Sequence, residues 1–233
     1  MQIREIYFSL IDRLDAWLWN LSCPGAPYSY VLMFHDIIIG KTNINQSCVH
    51  SLDEFTSILS RYQQKGYQIV SIEKAVNVRN KDCVNIAITF DDVYESVYKY
   101  AYPILKERKI PFTLFIAVDL IGTPGMATQA QIKEMAADDL CTIGAHTISH
   151  SMLRKTRNSY EEMELSKKKL EQLTGRDIEY LAYPYGKHSS VSMRIMRQAK
   201  RIGFKGAFGT INAPLNRLTS LFKFYLPRVV IHK

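Results

Sequence analysis

A chain of 233 residues can bury one large core, and a single domain of α/β-barrel size fits that length. Hydrophobic residues at 47% and charged residues at 22% are ordinary for a soluble globular protein, and no apolar run approaches the ~20 residues that cross a bilayer. The net charge of +8 is uneven, −3 over residues 1–150 and +11 over residues 151–233, which points to an anionic partner: a phosphorylated or acidic substrate, or a membrane surface. No zinc-finger or RRM-like signature accompanies the charge, so nucleic acid is not an expected partner. Cys23, Cys48, Cys83 and Cys141 lack C-x-x-C spacing, which excludes a redox motif and a zinc ribbon; they are expected reduced.

The first segment repeats Ile3, Ile6, Tyr7, Leu10, Leu14, Trp17, Leu18 and Leu21 at three- and four-residue steps, the stripe of an amphipathic helix ended by Cys23-Pro24-Gly25. Residues 1–24 therefore read as an N-terminal helix preceding a catalytic domain over 25–233. Trp17 and Trp19 suit a membrane interface, but the polar face mixes acids with bases, which favours packing on the barrel or a partner chain. Charges inside the stripe argue against a signal peptide, and the expected location is the cytoplasm, with peripheral membrane contact the other use of the helix.

Tyr30 to His35 reads as a buried strand ending in His35 and Asp36, followed by a linker with Gly40, Asn43 and Asn45. A helix is expected from Asp53 to its stop at Gly66, then a short strand Gln68 to Ile72. The β-branched run Val84 to Phe90 is a strand that stops at Asp91 and Asp92. A helix over Tyr94 to Lys109, a strand over Phe112 to Val118 and a loop over Asp119 to Gly125 come next. Helix Gln129 to Ala137, strand Cys141 to Ala145, helix Ser159 to Leu173 and strand Ile178 to Tyr183 continue the alternation. Helix Ser192 to Ile202, strand Gly206 to Thr210 and strand Tyr225 to Ile231 complete it. Strand and helix alternating almost throughout imply a parallel sheet, a distorted (β/α) barrel, with active residues at the strands' C-terminal ends.

Those ends carry His35, Asp91 with Asp92, His146 with His150, and Pro184-Tyr185-Gly186. On the pair alone, Asp91-Asp92 reads first as a helix cap. His146-Thr-Ile-Ser-His150 after a buried strand can bring two imidazoles to one cation, and two His with one carboxylate leave a divalent metal open positions, as in catalytic sites. With both features at neighbouring strand ends, the metal reading overtakes the cap.

Thr89-Phe90-Asp91-Asp92, His146-Thr147-Ile148-Ser149-His150 and Tyr183-Pro184-Tyr185-Gly186 resemble the three motifs of the polysaccharide deacetylases, carbohydrate esterase family four, over about Val31 to Ile231. The chain is most similar to the bacterial exopolysaccharide branch, whose motif order is permuted and whose histidine comes from an N-terminal strand. Val31-Leu32-Met33-Phe34-His35 resembles that strand, and Ala207-Phe208-Gly209-Thr210 with Leu226-Pro227-Arg228-Val229 resembles the C-terminal pattern. The resemblance implies a divalent metal, zinc, held by Asp92, His146 and His150, with Asp91 as general base. It implies an oxyanion stabilised by the metal and the Tyr185 N–H, substrate contact at Tyr183, Pro184 and Tyr185, and His35 protonating the leaving amine. An amide is a poor electrophile with a poor leaving group, so both an activated water and an acid are needed.

Three departures bear on this expectation. Val93 stands where the branch carries glycine, so the turn is expected to manage without positive φ. The third motif lacks the usual arginine before Tyr183, and Arg228 is the expected substitute. His232 rivals His35 as the acid from the chain end, while His50 and His188 read as structural. The expected activity is removal of an N-acetyl group from an amino sugar of a bacterial surface polysaccharide, anionic or lipid-linked precursors included. Deformylation, O-acetyl ester cleavage, or a catalytically dead carbohydrate-binding module are the alternatives.

Overall fold

The computed structural model describes residues 29–40, 48–77, 83–216 and 219–231. The expected N-terminal helix with Trp17 and Trp19, the linker residues Asn43 and Asn45, and His232 lie outside the described residues. Strand β1 (Ser29–Phe34) runs into two short strands, β2 (Asp36–Ile38) and β3 (Val49–Ser51), which pair only with each other. Helix α1 (Leu52–Gln64) opens with a capping box: Ser51 Oγ accepts from the Glu54 N–H at 3.1 Å, and the Glu54 carboxylate accepts from the Ser51 N–H at 2.8 Å. Strand β4 (Gln68–Ile69), helix α2 (Ile72–Val76) and strand β5 (Asn85–Asp91) follow. A wide π turn (Val97–Ala101) leads into helix α3 (Tyr102–Glu107), then strand β6 (Phe112–Ile116), helix α4 (Gln129–Ala137) and strand β7 (Cys141–Ala145). Helix α5 (Ser159–Thr174), strand β8 (Tyr180–Ala182), helix α6 (Met193–Ile202), strand β9 (Gly206–Phe208) and strand β10 (Val229–Val230) complete the alternation.

The main sheet runs β10-β1-β5-β6-β7-β8-β9, with β4 also on β5, and every pairing is parallel. It curls: Leu226 bridges Phe208 of β9 while Val229 pairs with Leu32 of β1, so one short segment joins both edges. The expected distorted (β/α) barrel is therefore the architecture. Alternate strand residues take opposite sides. Val31, Ala87, Phe115, Tyr180, Ala182, Phe208 and Leu226 fill the inside. Leu32, Ile88, Leu114, Ile143 and Leu181 meet Phe55, Ile132, Met163 and Ile195 of the helices outside. Each such side chain contributes about 1.5–3 kcal/mol by burial. Gly144 is required by this packing, because a Cβ there would lie 2.5 Å from the Phe115 ring.

Several expected elements differ. The strand expected to Ile72 stops at Ile69, because Ser71 Oγ accepts from the Lys74 N–H and caps α2 instead. The helix expected over Tyr94 to Lys109 contains the π turn; Pro103, early in α3, has no N–H to donate and crowds the carbonyl four residues back. A short 3-10 turn (Val118–Leu120) sits where only strand end and loop were expected. The last expected strand is broken into a bridge at Leu226 and a short strand at Val229–Val230, since Pro227 between them cannot donate to a ladder. Among the described residues Cys48, Cys83 and Cys141 form no disulfide with one another.

Candidate active site

An all-parallel sheet places the C-terminal ends of its strands on one side. Register fixes the neighbours there. Phe34 pairs with Phe90, so His35 and Asp91 are adjacent at the next position along. Asp91 is the final residue of β5, and Asp92 turns out of the strand with φ 63°. A carboxylate pair that would splay across a continuing strand is thereby turned toward one space. Val93 then adopts φ 67°, which corrects the expectation of a turn without positive φ. This conformation costs a β-branched residue on the order of 1–3 kcal/mol. Burial of Val93 in the main core offsets that cost, with its carbonyl accepting from the Ala127 N–H at 3.1 Å.

Asp91 is 2% exposed, and Arg228, fully buried, grips it with two bonds, Nη1 to Oδ1 at 2.6 Å and Nη2 to Oδ2 at 2.7 Å. The guanidinium is itself fixed: Nε donates to the Gly209 carbonyl at 3.1 Å, and its carbon lies 5.4 Å from the Phe115 ring centroid. Burial pushes the Asp91 carboxyl up, but Arg228, His146 and His35 more than reverse this and hold it well below the usual carboxylate range. The expected substitute arginine thus reaches Asp91 from just before β10.

His146, buried, places Nδ1 2.8 Å from the Ala182 carbonyl. A carbonyl only accepts, so that nitrogen carries the hydrogen and Nε2 offers its lone pair. Burial pulls the His146 pKa down further than Asp91 and Asp92 raise it, which keeps the ring neutral, as a ligand must be. Nε2 of His146 and Nε2 of His150 lie 3.6 and 3.3 Å from Asp92 Oδ1, and the three ligand atoms fall within 4.8 Å of one another. Asp92 Oδ1 is buried with no hydrogen-bond partner, as is His35 Nδ1. An unpaired carboxylate oxygen facing two imidazole nitrogens fits a divalent cation, and the N/O donor set suits zinc.

The family model described as polysaccharide deacetylase matches residues 78–206, more than half of the chain. The chain belongs to the polysaccharide deacetylase family. A protein of Bacillus subtilis (strain 168) named as a polysaccharide deacetylase is 27% identical over 226 residues, 94% of this chain and 76% of that protein. The poly-beta-1,6-N-acetyl-D-glucosamine N-deacetylase of Staphylococcus aureus (strain MRSA252) is 28% identical over 162 residues, 63% of this chain. A Streptococcus pyogenes deacetylase solved in complex with acetate superimposes with a TM-score of 0.78 at 25% identity, covering 89% of this chain and 93% of that one. The chain spans 54% of the staphylococcal relative and 65% of a Bacillus cereus polysaccharide deacetylase of known structure, which matches 88% of it at 25% identity with a TM-score of 0.77.

In this member of the family, the third motif divides its labour. Tyr183 is buried and donates its phenol to the Phe224 carbonyl at 2.9 Å, and Pro184 is buried too, so of the three residues expected to meet substrate only Tyr185 presents its side chain. Tyr185 is 55% exposed, has φ 63°, and its ring lies 5.2 Å from that of His150. Gly186 is locked against Thr210, whose N–H donates to its carbonyl at 3.0 Å; a Cβ would come within 2.7 Å of that nitrogen. His50 is buried against Phe34 and His188 lies 5.0 Å from the Tyr225 ring, outside the ligand cluster.

One residue escaped the sequence reading. Glu162, in the first turn of α5, accepts from the N–H groups of Ile148 and Ser149 at 3.1 and 3.0 Å and from Ser149 Oγ at 2.9 Å. It ties down the loop that must turn through positive φ at Thr147 (68°) and His150 (54°) to bring both imidazoles together. In sequence it is indistinguishable from an ordinary helix-dipole acid. Glu162→Gln keeps one acceptor and should weaken zinc binding by about 10–100-fold, as loss of ligand-supporting groups does, with an unchanged melting temperature. Competition with a zinc-sensitive dye measures this, and full affinity in the variant would remove Glu162 from the site.

Proposed function

We propose that this polysaccharide deacetylase removes N-acetyl groups from amino sugars of a bacterial surface polysaccharide or its lipid-linked precursor. The observation that carries the proposal is the joining of two units at one barrel end: the Asp92, His146 and His150 ligand atoms within 4.8 Å, beside Asp91 clamped by Arg228. Asp92, His146 and His150 would hold zinc, which when bound supplies Lewis-acid polarisation and lowers the pKa of water. Asp91, kept ionised by Arg228, stands ready to accept the proton of the attacking water. The Tyr185 N–H, which no backbone acceptor claims among the described residues, would donate to the developing oxyanion. His35, beside Asp91, would protonate the departing amine.

The name of the staphylococcal relative and the acetate in the streptococcal structure support acetyl over formyl as the leaving acyl group. Incubating the zinc-loaded protein with β-1,6-linked N-acetylglucosamine oligosaccharides, and following acetate release and mass, tests the reading. Loss of 42 Da per residue, the mass of an acetyl less a hydrogen and roughly what mass spectrometry resolves, is expected; formate release or an unaltered oligosaccharide rejects it. The acid has its own test. His35→Ala should slow amide cleavage by ~10²–10⁴ while metal stays bound, and should slow an activated acetyl ester far less, because a good leaving group needs little protonation. Normal amide turnover in His35→Ala together with a dead His232→Ala would transfer the role.

A further inference from the structure

Part of the positive charge of the C-terminal third is concentrated on one helix. Helix α6 carries Arg194, Arg197, Lys200 and Arg201 and not one acid. Where it packs on α5, a cleft of about 480 Å³ opens, lined by Tyr160, Arg194, Arg197, Gln198 and Arg201. Spacings of three and four residues set the three arginines along one stripe of the helix. Ser159 Oγ at the start of α5 donates to Gln198 Oε1 at 2.9 Å and accepts from Arg194 Nη2 at 3.4 Å, which fixes the cleft's inner edge.

This arrangement is unfavourable for α6 alone. Like charges at those spacings weaken a helix, and Arg194 in the first turn opposes the macrodipole. Other cations on these helices find acids: Lys167 meets Glu171 and Lys168 meets Glu164. Arg197 and Arg201 meet none among the described residues. A bound anion would offset both penalties. Guanidinium forks match tetrahedral oxyanions with paired hydrogen bonds, and a phenol adds a donor. A lipid surface would call for several exposed apolar side chains around the charge; the cleft lining holds no aliphatic side chain, and Met193 is the exposed apolar residue of α6.

We infer that this cleft binds the phosphate of a phosphate-bearing carbohydrate, at a place separate from the metal cluster. The two lie on one structural element, because Ser159, which holds Gln198 and Arg194, and Glu162, which holds the 146–150 loop, share the first turn of α5. The carbohydrate half of the inference rests on the deacetylase reading; the phosphate half stands on the cleft alone.

Calorimetric titration of the zinc-loaded protein with glucose 1-phosphate, glucose, inorganic phosphate and phosphatidylglycerol vesicles tests it, each against the Arg197→Gln/Arg201→Gln double variant. Glucose 1-phosphate should bind, weaken with salt, and lose at least about tenfold in affinity in the double variant, as loss of charged hydrogen bonds does. Glucose should not bind. The double variant should keep the wild-type melting temperature and wild-type deacetylation of a neutral oligosaccharide. Equal glucose 1-phosphate binding by both proteins, or none by either, overturns the site. Inorganic phosphate binding as tightly as the sugar phosphate overturns the carbohydrate half, and binding of vesicles alone overturns the inference in favour of a membrane surface. Should neither protein deacetylate, the deacetylase reading fails while the phosphate result still decides this one.

Discussion

Replacing His146 by alanine is expected to remove both the metal and the turnover. Among the described residues three ligand atoms converge, from Asp92, His146 and His150, so losing one leaves two on a site that already keeps positions open. His146 is also preorganised, its ring being buried and fixed by the Ala182 carbonyl at 2.8 Å. The loss in rate should exceed the ~10²–10⁴ that a general base supplies, because the activated nucleophile itself goes. Folding should survive, since Ala145 and Ile116 continue to pair β7 with β6. Atomic absorption after dialysis gives zinc stoichiometry, and circular dichroism checks the fold. A variant holding one zinc per chain and turning over would place the ligands elsewhere. Lowering the pH acts on the same group. His146 has a folded pKa below its unfolded value near 6.5, so the unfolded chain binds more protons there. The metal-free protein should therefore lose stability as pH falls below about 6.5.

The barrel and most of the site could be read from the sequence because their signals are local. Largely apolar runs ending in Asp91, His146 and Pro184 announce both strand and chemistry. What could not be read depends on atoms far apart in the chain. Arg228, 137 residues from Asp91, is expected there only through the family resemblance, and the curl that joins β9 to β1 is what brings the two together. Glu162 looks like any acid at a helix start until the 146–150 loop folds over it. Val93 argued against positive φ on local sterics, but core burial of its side chain overrode that preference. The inward turn of the Tyr183 phenol onto the Phe224 carbonyl could not be foreseen, because a motif does not tell which of its side chains face the interior. Pro103 did carry a local signal, and the wide turn before it is the consequence.

The pairing of Asp91 with Arg228 gives the second large effect. Asp91→Asn keeps the shape and the metal ligands but cannot take a proton, so activity should fall by ~10²–10⁴ with zinc retained. Arg228→Met should behave differently, because it leaves a buried carboxylate without its partner, a change that costs about 3–5 kcal/mol. The sign of its pH dependence follows from the pKa. In the wild-type fold Asp91 sits below its unfolded value of about 3.9, so its contribution is present above that pH and is lost only in stronger acid, through the folded pKa. Without Arg228, burial, the largest influence on this group, pushes the carboxyl up instead. A raised carboxyl contributes stability when protonated and loses it as pH rises. Relative to wild type, metal-free Arg228→Met should thus be most destabilised at about pH 7.5 and recover toward about pH 4.5, values that lie on opposite sides of the transition of a raised carboxyl. Adding Asp91→Asn to Arg228→Met should restore stability at the higher pH, since a neutral pair leaves no buried charge. Urea denaturation of the four proteins at both pH values gives the coupling. A single variant equally unstable at both, with no recovery in the double, would mean that Arg228 acts through packing against Phe115 and not through the charge of Asp91.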